Sequence, residues 1–521
     1  MSLWFRECVT NTASRESRRL VDDAADGDHR DGWQPAPAGR ERAWAPRVIK
    51  TESEASRPLD RPTPQARIAR GRDARAKVPR STHGAFAPSS RRPDPVALLD
   101  KQAATRIPEL IALRNGRMLV SPFTFFRGAA LVMAADLASM PKVGIQAQIC
   151  GDAHLSNFGA YASPERRMIF DVNDFDETMP GPWEWDLKRL VASLAVAGRN
   201  NGYSKGDRRS IVVAATAQYR TAMSDFAGMP TIDVWYSHAD VDWLLLQVKR
   251  ELPPAEFKEL TRDLTAARRR DNEHAFSKLT RIIDGTPRIT SDPPLIVPVF
   301  ELYPKLEAEQ VRHTVLEILS GYRATLAHDR QHLLEGYRIV DLARKVVGVG
   351  SVGTRAWVLL FLGRDASDPV VLQAKEAQSS VLEQFLGASQ FANHGERVVS
   401  GQRLMQAVSD IFLGWNRIRE PDHKQHDYYV RMLRDWKWSP DVESLSITAM
   451  TVWGRLCAWT LAHGHARSGD CIAIASYLGQ GDAFDRAMAS FGEAYADQNE
   501  RDYSAFRKAV KSGRIEAATG V

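Results

Sequence analysis

The chain has 521 residues, of which 44% are apolar and 26% are charged, and its formal net charge is +6. This is the composition of an ordinary globular protein with room for two or three domains, which excludes a wholly disordered chain. No apolar run approaches the roughly 18 residues needed to cross a bilayer, and the first residues lack the apolar stretch of a signal peptide. We therefore expect a cytoplasmic protein without membrane contact.

The positive charge is concentrated in one segment. Between Arg57 and Arg92 the chain has ten Lys and Arg against two Asp, a local charge of +8, so the remaining residues sum to about −2. A basic segment with prolines can bind nucleic acid or another acidic surface. Aromatic residues are not interleaved with the charges as base stacking requires. We expect a solvated tether, with nucleic-acid binding as the alternative.

The first residues, 1–65, are rich in Arg, Asp, Ala and Pro without a helical or strand period, which predicts a disordered arm. Folded structure is expected to begin near Asp94, where Pro95 marks the first turn of a helix. The run RMLVSPFTFF (117–126) is predicted to be extended, and a helix is predicted from Gly128 through LVMAADLASM.

Six acids lie in the next stretch, ICGDAHLSNFGAYASPERRMIFDVNDFDET (149–178). Two short apolar runs flank a turn at residues 163–166, which predicts a β-hairpin. The hairpin would bring Asp152, Asn157 and Asp174 to one end. Acids in such loops are commonly turn formers that cap backbone amides, but the pairing of two acidic clusters favours a functional site.

Carboxylate and amide oxygens that converge at one end of a hairpin suit Mg²⁺, which prefers one or two carboxylates and shares its remaining positions with substrate phosphates. Asp176 adds a further carboxylate to this set. His154 lies within the same loop and is a candidate base or ligand. A histidine that stabilises the loop is the alternative for His154, and the same alternative holds for His465.

Helices are predicted to follow the hairpin. Pro180-Gly181-Pro182 is a stop, and a helix begins at Trp183 with Asp186 in its first turn, where the helix dipole favours an acid. Residues 205–330 are predicted to form amphipathic helices that serve mainly as scaffold.

A second informative stretch contains Gly348-x-Gly350-x-x-Gly353. A dinucleotide-binding turn must open a helix on its third glycine, whereas the β-rich run TRAWVLLFL follows here. The pattern therefore predicts a glycine hairpin and, after a turn at 363–369, a strand that ends at Lys375. A lysine at a strand end is by itself an ordinary surface residue, and the preceding glycines favour a phosphate contact.

The rest of the chain is predicted to return to helices. Glu396 opens the helix GERVVSGQRLMQAV, and residues 427–438 supply a strand and a possible linker. A long helix is predicted from Ser446, and further helices complete the chain.

Together the two stretches resemble the catalytic loop and metal loop of the aminoglycoside phosphotransferase and choline kinase branch of protein-kinase-like enzymes. The five-residue step from Asp152 to Asn157 and the later Asp-Phe-Asp carry the first half, and the glycine turn with Lys375 carries the second. The resemblance implies an α+β, two-lobed kinase-like fold with a helix-rich larger lobe. Because the glycine turn comes about 200 residues after the catalytic loop, the fold would be circularly permuted.

Over residues 70 to 510 the chain resembles a bacterial family known as domain of unknown function 2252, which is similar to the kinase-like superfamily. The matching motifs include RMLVSPFTFFRGAA, GDAHLSNFG, NDFDET, VGVGSVGTR, KEAQSSVLE, GERVVSGQRLMQ and YADQ. The implied units are an arm (1–65), a helix-rich lobe with the catalytic hairpin (66–340), a nucleotide-binding small lobe (341–440) and helices that complete the large lobe (441–521).

The resemblance also implies a role for each candidate residue. Asp152 would accept the proton of the acceptor hydroxyl, with His154 as a second catalytic candidate. The metal candidates are Asn157, Asp174 and Asp176. The nucleotide-binding candidates are Gly348, Gly350, Ser351, Gly353, Lys375 and Glu396. Glu396 would pair with Lys375, with Glu383 as the second choice, and Asp186 would brace the catalytic loop.

The sequence therefore predicts an ATP- or GTP-dependent phosphotransferase that uses Mg²⁺ and acts on a hydroxyl of a small molecule. Cys150 begins the loop, Asp152 has no preceding Arg, and the Ala-Pro-Glu segment of protein kinases is missing, so protein substrates are disfavoured. Two alternatives remain. One is a catalytically inactive, nucleotide-binding pseudokinase, and the other is a metal-dependent hydrolase or nuclease that uses Asp152, Asp174 and Asp176 with the basic arm.

Overall fold

The structure of the chain is a computed structural model. It describes residues 61–518 apart from 305–307, 347, 349, 421–423 and 434, and it describes only the backbone of residues 308–314. The described residues combine helices and strands in an α+β arrangement, as the sequence predicts. No helix in these ranges is long and apolar enough to cross a membrane.

Helices make up most of the described chain. In chain order they are α1 (Pro64–Lys77), α2 (Pro95–Ala103), α3 (Pro108–Met118), α4 (Pro122–Gly128), α5 (Ala130–Ala138), α6 (Trp183–Asn200), α7 (Lys205–Ala227), α8 (Thr231–Tyr236), α9 (Val241–Val248), α10 (Pro254–Arg268), α11 (Asn272–Leu279), α12 (Val299–Leu302), α13 (Ala308–Arg323), α14 (His328–Glu335), α15 (Glu383–Leu386), α16 (His394–Met405), α17 (Ile447–Ser468), α18 (Cys471–Leu478) and α19 (Ala483–Lys511).

The strands form one large sheet and three small ones. They are β1 (Gln146–Ile149), β2 (Phe158–Ala162), β3 (Met168–Val172), β4 (Met179–Pro182), β5 (Ala239–Asp240), β6 (Thr280–Ile283), β7 (Thr286–Ile289), β8 (Ile296–Pro298), β9 (Arg338–Lys345), β10 (Ala356–Leu362), β11 (Pro369–Ala377), β12 (Gly414–Arg419) and β13 (Gln425–Met432). The large antiparallel sheet has the order β12-β13-β11-β10-β9-β8, and the small sheets are β1-β4, β2-β3-β5 and β6-β7.

The six-stranded sheet is covered on both faces because successive side chains on a strand point to opposite sides. The outer face packs against α13 and α14 through an apolar cluster that includes Tyr322, Leu334 and Leu372. The inner face packs against α11 and β7, with Ala275 and Ile289 in contact with the sheet. The near-continuous apolar run of β10 follows from burial on both faces.

The main core lies among the long helices α6, α7, α17 and α19. Its central helix, α6, is buried along almost its whole length, as expected for the run LVASLAVAG, which is apolar on all sides. Gly454 lets α17 approach closely, because a Cβ at this position would lie 3.1 Å from Leu194 Cδ2 of α6.

The predicted hairpin is present as β2 and β3, paired from Phe158↔Val172 to Ala162↔Met168. The strand before Asp152, β1, pairs with β4 instead. The loops on either side of the hairpin therefore meet at its open end, where the Asn173 amide donates to the Asn157 carbonyl at 2.8 Å. The predicted helices at Gly128, Trp183, Glu396 and Ser446 are confirmed as α5, α6, α16 and α17.

The run RMLVSPFTFF is helical, so the prediction of an extended segment is wrong. It contains the end of α3 and most of α4. Ser121 caps α4 in a capping box with Thr124, and Pro122 occupies the first turn, where proline is well tolerated. The alternation of bulky side chains is therefore produced by a helix boundary rather than by a strand.

The solvated tether predicted for the basic segment is also wrong where the structure describes it. Arg67 Nε bonds Asp470 Oδ1 at 2.7 Å. Arg92 lies between two buried carboxylates, 2.6 Å from Asp136 Oδ1 and 2.6 Å from Asp502 Oδ2. Arg67 and Arg92 therefore bind this segment to the rest of the chain through ion pairs.

Helical structure is present well before the position that the sequence indicates. The prediction placed the first helix near Asp94, but α1 begins at Pro64 and packs against α18, and a short 3-10 helix at Arg80–Gly84 packs against α19. The predicted disordered arm (1–65) lies outside the described residues up to residue 60.

Candidate active site

The loop that carries Asp152 is fixed by Asp186 of α6. The two carboxylate oxygens of Asp186 accept the backbone N–H groups of Cys150 (2.8 Å) and Gly151 (2.9 Å). Gly151 has a φ of +83°, and a Cβ there would lie 2.6 Å from the Glu177 carbonyl, so glycine is required. Asp186 therefore lies in the first turn of α6 and also holds the loop before Asp152 in place.

Asp152 is held by a buried arginine that the sequence analysis did not identify. Arg189 Nε, one turn after Asp186 in α6, lies 2.7 Å from Asp152 Oδ1, and Arg189 Nη2 bonds the Phe126 carbonyl at 2.7 Å. Burial raises the pKa of Asp152 to about 6, although the Arg189 charge opposes the rise. The i, i+3 spacing from Asp186 on a buried helix was the available signal for Arg189.

His154 is part of the loop. Its side chain is buried, its backbone N–H donates to the Asp152 carbonyl at 2.8 Å, and its Nε2 lies 3.8 Å from Asp152 Oδ2. Burial, assisted by the Arg127 and Arg189 charges, holds the pKa of His154 well below its usual range. A neutral imidazole is therefore expected near neutral pH.

Asn157 closes the same loop. Its Nδ2 donates to the Asp152 carbonyl at 2.9 Å, which leaves Oδ1 as its candidate ligand atom. Asp174 and Asp176 follow the hairpin, and the Asp176 amide donates to Asp174 Oδ1 at 3.1 Å. These three side chains line one cleft. Among the described residues, however, no three His, Cys, Asp or Glu side chains are grouped closely enough to hold a metal ion.

Lys375 reaches this acidic cluster from β11. Its Nζ lies 2.8 Å from Asp176 Oδ2 and 3.7 Å from Asp174 Oδ2. Burial disfavours the charged amine, but Asp174 and Asp176 outweigh it and raise the pKa of Lys375. Burial likewise opposes ionisation of Asp176, and Lys375 nevertheless holds the pKa of that carboxyl below its usual range. Tyr429 donates a further hydrogen bond to Asp176 at 2.6 Å.

The glycine turn connects β9 to β10 and lies over the same cluster. Gly348 and Gly353 have φ values of +67° and +90°, which glycine tolerates. Ser351 Oγ donates to Asp176 Oδ2 at 3.2 Å. The turn and Lys375 therefore both contact the acidic loop after the hairpin. Gly348, Gly350 and Ser351 also line the cleft.

The predicted acidic partner of Lys375 is wrong. Within the described ranges, neither Glu396 nor Glu383 forms an ion pair with Lys375, whose carboxylate partners are Asp174 and Asp176. Glu396 lies in the first turn of α16, and its amide donates to Asn393 Oδ1 at 3.1 Å. Glu383 lies 3.7 Å from His394 and 3.9 Å from Arg397.

Arg397, the neighbour of Glu396, is the α16 residue that reaches the site. Its guanidinium donates to the carbonyls of Thr178 (2.7 Å), Asp176 (2.8 Å) and Gln378 (2.8 Å). It therefore joins the acidic loop to the end of β11. No local pattern in the sequence distinguishes Arg397 from the other charged residues of its helix.

A cleft of about 1330 Å³ is lined by the acidic loops and by part of the glycine turn, whereas Lys375 is only 3% exposed and is not among its lining residues. It lies between the six-stranded sheet and the helical core. Its walls carry both signs of charge, because Arg106 and Arg127 line it together with the carboxylates. Burial lowers the pKa of Arg106 to about 10, which leaves it charged at neutral pH. The guanidinium groups on its wall can bind an anionic ligand.

Comparison with known proteins gave one match. The profile of a family described as an uncharacterized protein conserved in bacteria (DUF2252) matches residues 106–509. No curated protein and no solved structure matched the chain.

Proposed function

We propose, from the premise that this chain belongs to the bacterial DUF2252 family, that the protein transfers a phosphoryl group from ATP or GTP to a hydroxyl of a small molecule and requires Mg²⁺. In this proposal the fold is a circularly permuted relative of the protein-kinase-like fold. The glycine turn and the lysine strand follow the catalytic loop in sequence and complete the same cleft in space.

One observation carries the proposal, the contact of Lys375 with Asp174 and Asp176. These groups are about 200 residues apart in the chain, and they meet under a glycine turn. Phosphoryl transfer requires few covalent steps from the protein and depends on positioning and on charge. Two carboxylates and a glycine turn on the wall of one cleft, with a buried lysine bound to the carboxylates, are the parts that such a reaction needs.

Each group has a role in the proposal. Asp152 accepts the proton of the acceptor hydroxyl, and Arg189 orients its carboxylate. Lys375 and the backbone of the glycine turn bind the donor phosphates. Asn157, Asp174 and Asp176 would hold Mg²⁺, which neutralises charge on the phosphates when it is bound.

An inactive, nucleotide-binding protein is the second candidate, and one observation favours it. Active protein kinases require an ion pair between the strand lysine and a helix glutamate. Here Lys375 pairs with Asp174 and Asp176 instead. The hydrolase alternative gives Lys375 no role, and nothing in the cleft favours it over transfer.

Substitutions at Asp174 and Asp152 test the proposal. Outer-shell partners alone change metal affinity by about 10- to 100-fold, so Asp174→Asn is expected to weaken binding of Mg²⁺ with a non-hydrolysable nucleotide by at least about 10-fold. Asp152→Asn is expected to leave that affinity unchanged and to reduce transfer, measured first as slow ATP turnover onto water, by about 10²- to 10⁴-fold.

Calorimetric titration measures the affinity for Mg²⁺ with the nucleotide. The matched control is Asp365→Asn on the β10–β11 loop, where the side chain is 52% exposed. Equal loss of affinity in the Asp152 and Asp174 variants would make Asp152 a metal ligand and favour a hydrolase. Tight binding by the wild-type protein without turnover onto water or any hydroxyl acceptor would establish the inactive alternative.

A further inference from the structure

Arg127, in the last turn of α4, lines the cleft. Within the described ranges its guanidinium forms no hydrogen bond and no ion pair, and its Nε is buried without a partner. Buried donors are almost always hydrogen-bonded in native proteins, and an exception calls for an explanation such as a ligand or an ion. The guanidinium of Arg127 is therefore a candidate contact for a ligand in the cleft.

The backbone places Arg127 on the same wall of the cleft as Asp152. Arg189 Nη2 donates to the carbonyl of Phe126, the residue that precedes Arg127, at 2.7 Å. Arg189 Nε donates to Asp152 Oδ1, also at 2.7 Å. The Arg189 guanidinium lies 3.8 Å from the centre of the Phe126 ring. One guanidinium thus joins the last turn of α4 to the candidate base.

The charges around Arg127 belong to the helical side of the cleft. Burial lowers the pKa of Arg127, and the carboxylates that oppose this effect are Glu443 and Asp152. Arg127 in turn is the first charge, after burial, that lowers the pKa of His154. Glu443 lies in a short 3-10 helix, Val442–Ser444, that packs against α6. Arg127 is therefore close to the candidate base and to the helices behind it.

Arg106 lies instead against the glycine turn. Its Nη1 donates to the carbonyl of Val352. Burial lowers the pKa of Arg106, and Glu177 and Asp176 of the acidic loop are the first carboxylates that oppose this effect. Arg106 is therefore positioned for the donor phosphates, whereas Arg127 is positioned beside the base that would face the acceptor.

The carboxylates near Arg127 already have cationic partners. Asp152 pairs with Arg189, and Asp176 pairs with Lys375. Among the described residues, the guanidinium of Arg127 is thus left with hydrogen-bond donors that no carboxylate accepts. The planar guanidinium matches the geometry of a carboxylate or a phosphate. An oxyanion carried by the ligand would satisfy these donors.

We propose that the acceptor is itself an anion, a hydroxyl compound whose carboxylate or phosphate binds Arg127 while its hydroxyl faces Asp152. This inference rests on the proposed function, whose acceptor it specifies. In the transfer, the hydroxyl oxygen bonds to the γ-phosphorus of the donor, and the bond from that phosphorus to the bridging oxygen breaks. The nucleoside diphosphate leaves, and the hydroxyl proton passes to Asp152. A cationic acceptor would be repelled by Arg127.

Calorimetric titration of the full chain, loaded with Mg²⁺ and a non-hydrolysable nucleotide, tests the inference. The probes are glycerol 3-phosphate, glycerate, glycerol and choline. A hydrogen bond to a charged group is worth about 10- to 150-fold in affinity. At least one of the two anions is therefore expected to bind at least about 10-fold more tightly than glycerol, and choline is expected to bind no more tightly than glycerol. The tighter anion identifies the group, carboxylate or phosphate, that the site takes.

Variants of Arg127 assign the preference to this residue. Arg127→Met is expected to reduce the affinity for the preferred anion to that for glycerol and to leave the affinity for the nucleotide unchanged. Arg127→Lys retains the charge and should retain part of the preference. Arg364→Met on the β10–β11 loop, where the side chain is 78% exposed, is the matched control and should change neither affinity. Thermal melting checks that each variant is folded.

The outcomes separate this inference from the proposed function. Similar affinities for the four probes, tightest binding of choline, or an anion preference that persists in Arg127→Met would overturn the inference and leave phosphoryl transfer standing. The carbonyl of Arg127 lies 3.4 Å from a Cβ built at Gly350, so contact with the donor is the competing role. Loss of nucleotide affinity in Arg127→Met would show that role and overturn the inference. Absence of nucleotide binding by the wild-type protein would overturn the proposed function as well.

Discussion

Two opposing effects act on the pKa of the Asp152 carboxyl group. Burial raises its pKa to about 6, and the Arg189 guanidinium at 2.7 Å opposes the rise. A general base should have a pKa near the operating pH, because it must be deprotonated at the start and still attract a proton. Asp152 meets this condition without a histidine, and His154 is held neutral beside it.

Activity is therefore expected to depend on pH through Asp152. Only the carboxylate can accept the acceptor proton, so turnover should reach half of its maximum near the pKa of about 6. It should level off about one pH unit above that value and fall about 10-fold per pH unit below it. Arg189→Met removes the charge that lowers this pKa, so the acid limb should move to higher pH. The pH–rate profile of kcat measures both.

Arg189→Lys is the matched control, because it retains the charge while losing the planar guanidinium, and its acid limb should stay near that of the wild type. Thermal melting checks that each variant is folded, since removal of one partner of a buried pair costs about 3–5 kcal/mol. An unchanged acid limb in a folded Arg189→Met variant would mean that Asp152 is not the titrating base.

At the scale of elements, α1 shows how a basic sequence becomes a packed helix. Thr63 caps it and Pro64 begins it. Its small residue Gly71 allows α18 to approach closely, and the Arg75 guanidinium donates to the carbonyls of Ser476 and Tyr477 at the end of α18. Arg75 thus satisfies carbonyls that α18 leaves unpaired at its C-terminus.

Gly71→Ala is expected to destabilise the protein. A Cβ at position 71 would lie 2.3 Å from the Ala473 carbonyl oxygen and 2.7 Å from Ser476 Cβ, and overpacking of this kind costs about 1–3 kcal/mol. Gly206→Ala in α7 is the control, because its nearest neighbour is Ser204 Oγ at 3.6 Å and alanine favours a helix by up to about 1 kcal/mol.

Differential scanning calorimetry measures the two melting temperatures. The Gly71 variant should melt below the wild type, and the Gly206 variant should melt at or above it. Equal melting temperatures in the two variants would show that α1 does not pack against α18 as described.

At the scale of the whole molecule, the segment before residue 93 joins the two ends of the described chain. Arg92 binds Asp136 of α5 and Asp502 of α19 in one buried cluster, and burial of its own charge is outweighed by these carboxylates, which raise the pKa of Arg92. Breaking such a pair by removal of one member leaves buried charge without a partner.

Truncation at two positions tests which of the N-terminal residues contribute to stability. Removal of residues 1–60 is expected to leave the cooperative melting transition unchanged, because their composition predicts little burial. Removal of residues 1–92 takes away α1 and Arg92 and should cost at least about 3–5 kcal/mol. Thermal melting compares both proteins with the full chain.

Arg92→Met in the full chain is the control that isolates the ion pairs, and Arg514→Met, at a 50% exposed arginine, should change stability by less than about 1 kcal/mol. A protein of residues 93–521 that melts like the full chain would show that the N-terminal segment is not structural. A loss of stability on removal of residues 1–60 would move the boundary toward the N-terminus.

The sequence by itself determined the local structure of the site. Period-two apolar runs, turn residues and glycines act over a few positions, so the acidic hairpin, the glycine turn and the strand ending at Lys375 could be predicted. The same local signals gave a wrong prediction for residues 117–126, because a helix boundary with a capping box produces a similar alternation of bulky side chains.

Only the tertiary structure decided which charges meet. Lys375 pairs with Asp176 across 199 residues of chain rather than with Glu396, Arg189 holds Asp152, and α11 covers the sheet face beside the lysine. Such contacts depend on how helices and sheets pack, and a charged residue has the same local preferences whether its partner is near or absent. The residues of the site can therefore be predicted from local sequence, whereas the packing of helices and sheets decides which of them form pairs.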